Sequence, residues 1–215
     1  MTGTATRRLR QGSIMITLDI ETNLSHDTIW VVVTQDVETG NLMTHTAPDT
    51  LEPVLRDSKA VIGHNIIGFD APVLEKVWNL VIPANKLKDT LAMSRLWNPS
   101  LEGGHSLDAW GKRFGDHKIE FSDYDGGLTP EMIDYCKQDV VLTTRLYKHL
   151  KTTLEQEGFS QQCVDLEEKV YIITAQQERN GFMLDVEQAT LLWQTVTHRM
   201  RQITEMLQEV FPPIV

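Results

Sequence analysis

The chain first becomes periodic at Ile14. Ile16, Leu18 and Ile20 interleave with Thr17, Asp19 and Glu21, the two-residue period of a strand with two unlike faces. Residues 29–34 and 42–46 carry strand formers on either side of Glu38-Thr39-Gly40-Asn41, which predicts a hairpin. A short helix over 51–57, a buried strand over 60–65 and a helix over 71–79, with Pro72 in its first turn, come next. A strand near 86–89 leads into a helix over 90–97, stopped by Asn98-Pro99. Residues 98–129 are glycine-rich and read as loop, apart from a short helix over 106–113. Thr129-Pro130-Glu131 then supplies an N-cap, a first-turn proline and a dipole-matching acid for a long helix that stops near Glu157 and Gly158. Two further helical patterns, 161–179 and 186–210, are separated by Asn180-Gly181, and Asp185 suits the cap of the second. A hairpin followed by alternating helices and strands predicts an α/β fold: a mixed sheet with flanking helices, plus a C-terminal helical segment.

Composition narrows the class. At 215 residues, with 41% hydrophobic and 23% charged positions, the chain has the balance of a folded domain rather than of a disordered or fibrous one. No apolar run approaches the ~18 residues of a membrane span and no signal peptide is visible, so a cytoplasmic protein with no membrane partner is expected. Cys136 and Cys163 suit a reducing compartment and are too few for a four-ligand zinc site. Residues 1–13 hold Arg7, Arg8 and Arg10 with no acid and no apolar period. They read as a disordered leader or an expression scar ahead of Met15, with a basic DNA-binding arm as the alternative. Overall, 20 basic against 30 acidic residues give −10. That sign disfavours strong, general duplex binding. The acids are either solvated or gathered around cations.

Three places concentrate candidate chemistry. Asp19 and Glu21, two apart, project from one face of the first strand, unless that strand is an edge with two solvated acids. Asp70 ends the run His64-Asn65-Ile66-Ile67-Gly68-Phe69-Asp70, where a buried strand hands over to a helix. It reads either as an N-cap or as a group reaching over the sheet. Tyr135 and Asp139, in Tyr135-Cys136-Lys137-Gln138-Asp139, are i and i+4 on one helix face, beside an apolar stripe that includes Ile133, Cys136 and Val140. By itself that pair is equally a Tyr-to-Asp hydrogen bond at a core edge. Together, Asp19, Glu21, Asp70 and Asp139 form a hard-oxygen set suited to Mg²⁺ or Mn²⁺. Two such ions about 3.5–4 Å apart are the clamp used for in-line phosphoryl displacement.

These segments resemble the DEDD exonuclease superfamily, whose fold is ribonuclease-H-like. Asp19-Ile20-Glu21 is similar to its first motif, Asn65 to Asp70 to its second and Tyr135 to Asp139 to its third. A tyrosine four residues before the last acid, with Asp134 where the other branch has histidine, is similar to the DEDDy branch. Further runs extend the likeness: Lys88-Asp89-Thr90-Leu91 with Ser94-Arg95-Leu96, His105 to Gly111 with Arg113 and Gly115, and Gln177 to Phe182. They resemble the 3′–5′ proofreading region of family A DNA polymerases, above all those of podophages, and the likeness covers about 15–215. It implies hydrolysis of single-stranded DNA 3′ ends to nucleoside 5′-monophosphates. The catalytic residues would be Asp19, Glu21, Asp70, Tyr135 and Asp139. The four acids would hold two divalent ions: Asp19, Glu21 and Asp139 the first, Asp19 and a water-linked Asp70 the second. Tyr135 would orient the attacking water.

The same resemblance implies a division into the leader 1–13, a catalytic core 14–158 and a helical segment 159–215 leading toward a polymerase thumb absent from the chain. The partner would be a polymerase domain, in the same longer chain or in trans, in a bacterial host cytoplasm if phage-encoded. The chain reads as a fragment of such a polymerase or as a stand-alone exonuclease with a helical tail. Thr22, Asn23 and Asn65 flank the motifs as candidate contacts for the terminal nucleotide, and Phe69 is a candidate stacking residue or ordinary core. His64, His105 and His117 read as structural. Lys112, Arg113 and Lys118 read as solvated loop or phosphate contacts, and Asp89 as a helix cap. The alternatives are an RNase D-like exoribonuclease, with the same acids and another polymer, and a non-catalytic binding module on an exonuclease fold.

Overall fold

The computed structural model describes residues 14–116 and 121–211; the leader 1–13, His117 and Lys118 lie outside them. Five strands form one mixed sheet: β1 (Ile14–Thr22), β2 (Ile29–Asp36), β3 (Leu42–His45), β4 (Ser58–Gly63) and β5 (Leu87–Asp89). Their order is β3-β2-β1-β4-β5. β2 is antiparallel to β1 and β3, whereas β4 is parallel to β1 and β5. The hairpin turn is tied by Asp36, whose carboxylate accepts from the Glu38 and Thr39 amides while its carbonyl accepts from Gly40 N–H at 2.8 Å. Gly40 has φ 74°, which a side chain would resist.

The seven α-helices among the described residues are α1 (Pro48–Asp57), α2 (Asp70–Trp78), α3 (Thr90–Trp97), α4 (Leu107–Phe114), α5 (Pro130–Gln156), α6 (Gln161–Asn180) and α7 (Val186–Val210). Caps appear where the sequence places them. Thr129 accepts from Met132 N–H at 3.1 Å, Asp89 from Leu91 N–H at 2.9 Å and Asp185 from Gln188 N–H at 3.0 Å. Asp70 differs: the N-cap of α2 is Phe69, which makes no side-chain cap bond, and Asp70 is the first helical residue. Its carboxyl is therefore not spent on capping α2.

The strand period of β1 sorts the core into two faces. Ile16, Leu18 and Ile20 join Leu51, Leu55, Val73 and Leu74 of α1 and α2 on one side of the sheet. On the other, Val31 and Val33 pack against Met132, Cys136 and Val140 of α5. Ile62 meets Met93, Trp110, Leu142, Leu146 and Leu150 on that same face. Thr17, Asp19 and Glu21 alternate with the first set and so face α5. The contact is direct at Thr17, whose hydroxyl accepts from Thr144 at 2.7 Å.

One compact unit continues to Gln176 and a second begins at Gln177. The first thus runs beyond the boundary at 158 read from the sequence. The reason is α6: Val164 is buried in one core cluster and Ala175 in the other, with Tyr171 and Ile172 packed beside Ala175. In the second unit α7 is amphipathic, with Trp193, Val196, Met200, Ile203 and Leu207 spaced by three and four.

Candidate active site

β1 sets two carboxylates side by side on the face covered by α5. Ligand atoms of Asp19, Glu21 and Cys136 lie within 4.8 Å of one another. The β1–β2 register shifts between Glu21 and Thr22, so the strand departs from regular pairing just where the acids end. α5 returns along the sheet and lowers Asp139 into the same place, 5% exposed. α2 brings Asp70, 3% exposed, over the C-terminal end of β1. The convergence is visible in the electrostatics. Burial pushes the Asp19 carboxyl well up, and the charges of Asp70, Glu21 and Asp139 push it further, in that order. Burial raises Asp70 to about 7, opposed by its own backbone amide and by that of Ile20, while the Asp89 charge adds to the rise.

Three buried carboxylates whose charges all push up the proton affinity of the half-buried Asp19 are poorly compatible as bare anions and well matched to hard divalent ions. The donor set fits Mg²⁺ or Mn²⁺. Cys136, a soft donor, fits a different role. Burial first, then the charges of Asp19 and Glu21, push its thiol well up, so it stays protonated and donates to the Asp19 carboxylate. Sequence reasoning had placed Cys136 only in the apolar stripe of α5; nothing local announces a buried donor on a facing strand.

Tyr135 sits one turn before Asp139, half-buried. Burial, then Asp139, Tyr124 and Glu21, push its phenol above its ordinary range, so it is a proton donor at any working pH. Tyr124 is a second residue that sequence reasoning missed. Its carbonyl accepts from Trp30 Nε1 at 2.8 Å, and Phe121 packs edge-on to Tyr124 and tilted against Tyr135. The aromatic pair in an otherwise polar loop was the available signal.

The turn after β4 is built around Asp89. Its carboxylate accepts from the amides of Asn65 and Ile67, each at 3.0 Å, as well as capping α3. Asp89 is fully buried, and it is both the expected cap and a clamp on the segment carrying Asp70. Asn65 holds a left-handed φ of 67°, and its carbonyl accepts from Gly68 and Phe69 N–H. Phe69 packs on the core and edge-on to His26 at 4.9 Å.

Other candidates have local duties. The Asn23 carboxamide closes the 23–28 turn, donating to Asp27 Oδ1 at 2.6 Å and accepting from the Asp27 and Thr28 amides. Thr22 is buried and donates to the Asn23 carbonyl at 3.0 Å. His64 pairs with Thr90 and His105 with Ser94. Lys112 pairs with Asp108, and Arg113 binds the carbonyls of Glu102 and Gly104.

No protein-family model matches the chain. DNA-directed DNA polymerases of Enterobacteria phage T3 and Escherichia phage T7 are each 28% identical to it, over 76% of this chain and 31% of the relative. The chain thus spans about a third of the length of these curated relatives. Among solved structures, Brucella melitensis NrnC with bound Mg²⁺ superposes with a TM-score of 0.61 at 22% identity, covering 78% of this chain and 86% of that one. The family B DNA polymerase of Pyrobaculum calidifontis gives 0.57 at 15% identity, over 77% of this chain and 29% of that one. These structural likenesses establish the fold. The chain is a homologue of the phage T3 and T7 DNA polymerases over 76% of its length, and its fold is ribonuclease-H-like.

Proposed function

We propose that the chain is a 3′–5′ exonuclease that trims single-stranded DNA ends to nucleoside 5′-monophosphates, serving as the proofreading part of a DNA polymerase. The observation that carries this is the convergence of Glu21, Asp70 and Asp139, all buried, on the half-buried Asp19 from β1, α2 and α5. Homology to phage polymerases supports the proofreading setting. The polymerase activity would lie elsewhere in a longer chain or in trans.

In this reading Asp19, Glu21 and Asp139 would hold one divalent ion, and Asp19 with a water-linked Asp70 a second. Bound there, the ions supply charge neutralisation and a water acidic enough to attack a phosphodiester near neutral pH. The chain's own groups do the positioning. Tyr135, kept protonated, donates a hydrogen bond that orients the attacking water rather than removing its proton. Cys136 holds the Asp19 carboxylate in register with Glu21. Asn65 and Phe69, on the turn leading to Asp70, border the place of the terminal nucleotide, with Thr22 behind it. The acidity of the chain then suits a site that takes a frayed end while another region grips the duplex.

The test is a 5′-labelled DNA oligonucleotide and its RNA counterpart, each incubated with Mg²⁺ and with chelator. A Mg²⁺-dependent ladder shortening from the 3′ end of DNA, lost in Asp19→Ala and Asp139→Ala, is expected. Preference for RNA selects the exoribonuclease reading. Absence of cleavage of either polymer selects a non-catalytic module.

A further inference from the structure

Helix α6 reaches the turn before Asp70 through one side chain. The Tyr171 hydroxyl donates to Asn65 Oδ1. The approach depends on Gly68: a Cβ there would collide with Asn65 Oδ1 and stand 3.0 Å from the Tyr171 hydroxyl. One turn earlier, α6 is fastened to β5. Lys88 Nζ lies 2.7 Å from Glu168 Oε2 and 3.0 Å from Asp165 Oδ1. Glu168 is 5% exposed, so this anchor is buried. Glu168 and Tyr171 are i and i+3 on one helical face. The anchor therefore fixes where the Tyr171 hydroxyl arrives.

Asn65 is thus held at two points besides its strained backbone. Asp89 takes its amide proton at 3.0 Å and Tyr171 takes its side-chain oxygen. With Oδ1 engaged, the amide nitrogen Nδ2 is the end left for a ligand, and among the described residues it has no partner. An asparagine free to flip would offer donor and acceptor alternately. One whose oxygen is pinned offers only donors, the complement of a phosphate or a sugar oxygen.

We propose that Tyr171 is a positioning residue for the nuclease site, fixing the Asn65 carboxamide so that its Nδ2 donates to the terminal nucleotide, and that α6 is therefore part of that site. This rests on the exonuclease reading above. It makes the helix read from the sequence as a tail a wall of the active site.

The experiment compares Tyr171→Phe, Asn65→Ala and the double variant on a single-stranded oligodeoxynucleotide with Mg²⁺. Loss of the one hydroxyl is expected to raise KM about five- to tenfold with kcat within about twofold. The double variant should match Asn65→Ala alone, because the hydroxyl has nothing left to position. Gly68→Ala should reproduce the Tyr171→Phe effect. Unchanged KM in Tyr171→Phe, or additive losses in the double variant, would overturn the proposal. A readout independent of activity is the Asn65 side-chain amide pair in ¹H–¹⁵N spectra, which should shift in Tyr171→Phe. If the wild-type chain cleaves neither DNA nor RNA, the exonuclease reading fails by itself. The positioning claim is then judged by that amide pair, and an unmoved pair sinks it.

Discussion

Cys136 on α5 and Asp19 on β1 meet across the layer between helix and sheet, the thiol donating to both the carboxylate Oδ2 and the backbone carbonyl at 3.5 Å. Cys136 is buried and Cys163 exposed. The two thiols should therefore differ sharply in reactivity. An aromatic disulfide reagent is expected to titrate one thiol in the native protein and the second only after unfolding. Two fast thiols in the native state would contradict the burial. Cys136→Ala, which removes the donor and opens a small void, should cost about 1–2 kcal/mol in chemical denaturation.

The crowding of carboxylates gives a pH dependence with a definite sign. An acid held above its ordinary range binds its proton more tightly in the folded state than in the unfolded one. The ion-free fold should be most stable at or below the ordinary carboxyl range and weaken as pH rises through about 7, the value to which Asp70 is pushed. Melting temperatures in chelator from pH 5 to 8 should fall, and Mg²⁺ should restore them at the upper end. At a hundredfold excess over its dissociation constant an ion adds about 2.7 kcal/mol. Asp19→Asn should flatten the slope while reducing cleavage by about 10³ or more. A slope that rises, or one unchanged in the variant, would refute the electrostatic account.

Tyr135→Phe separates positioning from base catalysis. With a phenol pushed above its ordinary range, deprotonation plays no part below pH 9. The variant should lose about tenfold to a hundredfold in kcat, with the shape of the pH–rate profile unchanged. A lost alkaline or acidic limb would mean that the phenol itself titrates in the reaction.

Asp89 is a stability residue with a functional address. Its carboxylate serves the amides of Asn65, Ile67, Leu91 and Ala92, and no water is needed to satisfy it. Asp89→Asn leaves one acceptor oxygen and turns an amide group against backbone donors. A loss of about 2–3 kcal/mol in a denaturant titration is expected. Near-wild-type stability would show that the turn is held by other means.

Much of this site was readable because it rests on local periods. Alternation in β1 puts Asp19 and Glu21 on one face, and i,i+4 spacing in α5 does the same for Tyr135 and Asp139. What local periods cannot show is a partner distant in sequence. Glu168 and Lys88 are 80 positions apart, and Tyr171 and Asn65 are 106 apart. No pattern within α6 announces either, so the helix read as a tail. Asn23 shows the opposite, a side chain engaged by its own neighbours. Its neighbours Asp27 and Thr28 made a turn cheap, and the turn consumed the side chain. At Asp70 the strand-to-helix handover was correct, but the chain enters α2 one residue earlier, at Phe69, which leaves the carboxyl free to turn toward β1.

The span between Asp19 and its partners on α5 also governs when the site comes into being. Asp19 and Cys136 are separated by 117 positions, and no shorter piece of the chain contains both walls. During synthesis β1 and its hairpin can form long before α5 has left the ribosome. The early chain then carries paired acids without their cover. Such non-local closure is slow compared with helix or hairpin formation. The acidic group is therefore completed late, as a single event, and under the exonuclease proposal the appearance of cleavage in a refolding experiment would time the docking of α5 onto the sheet.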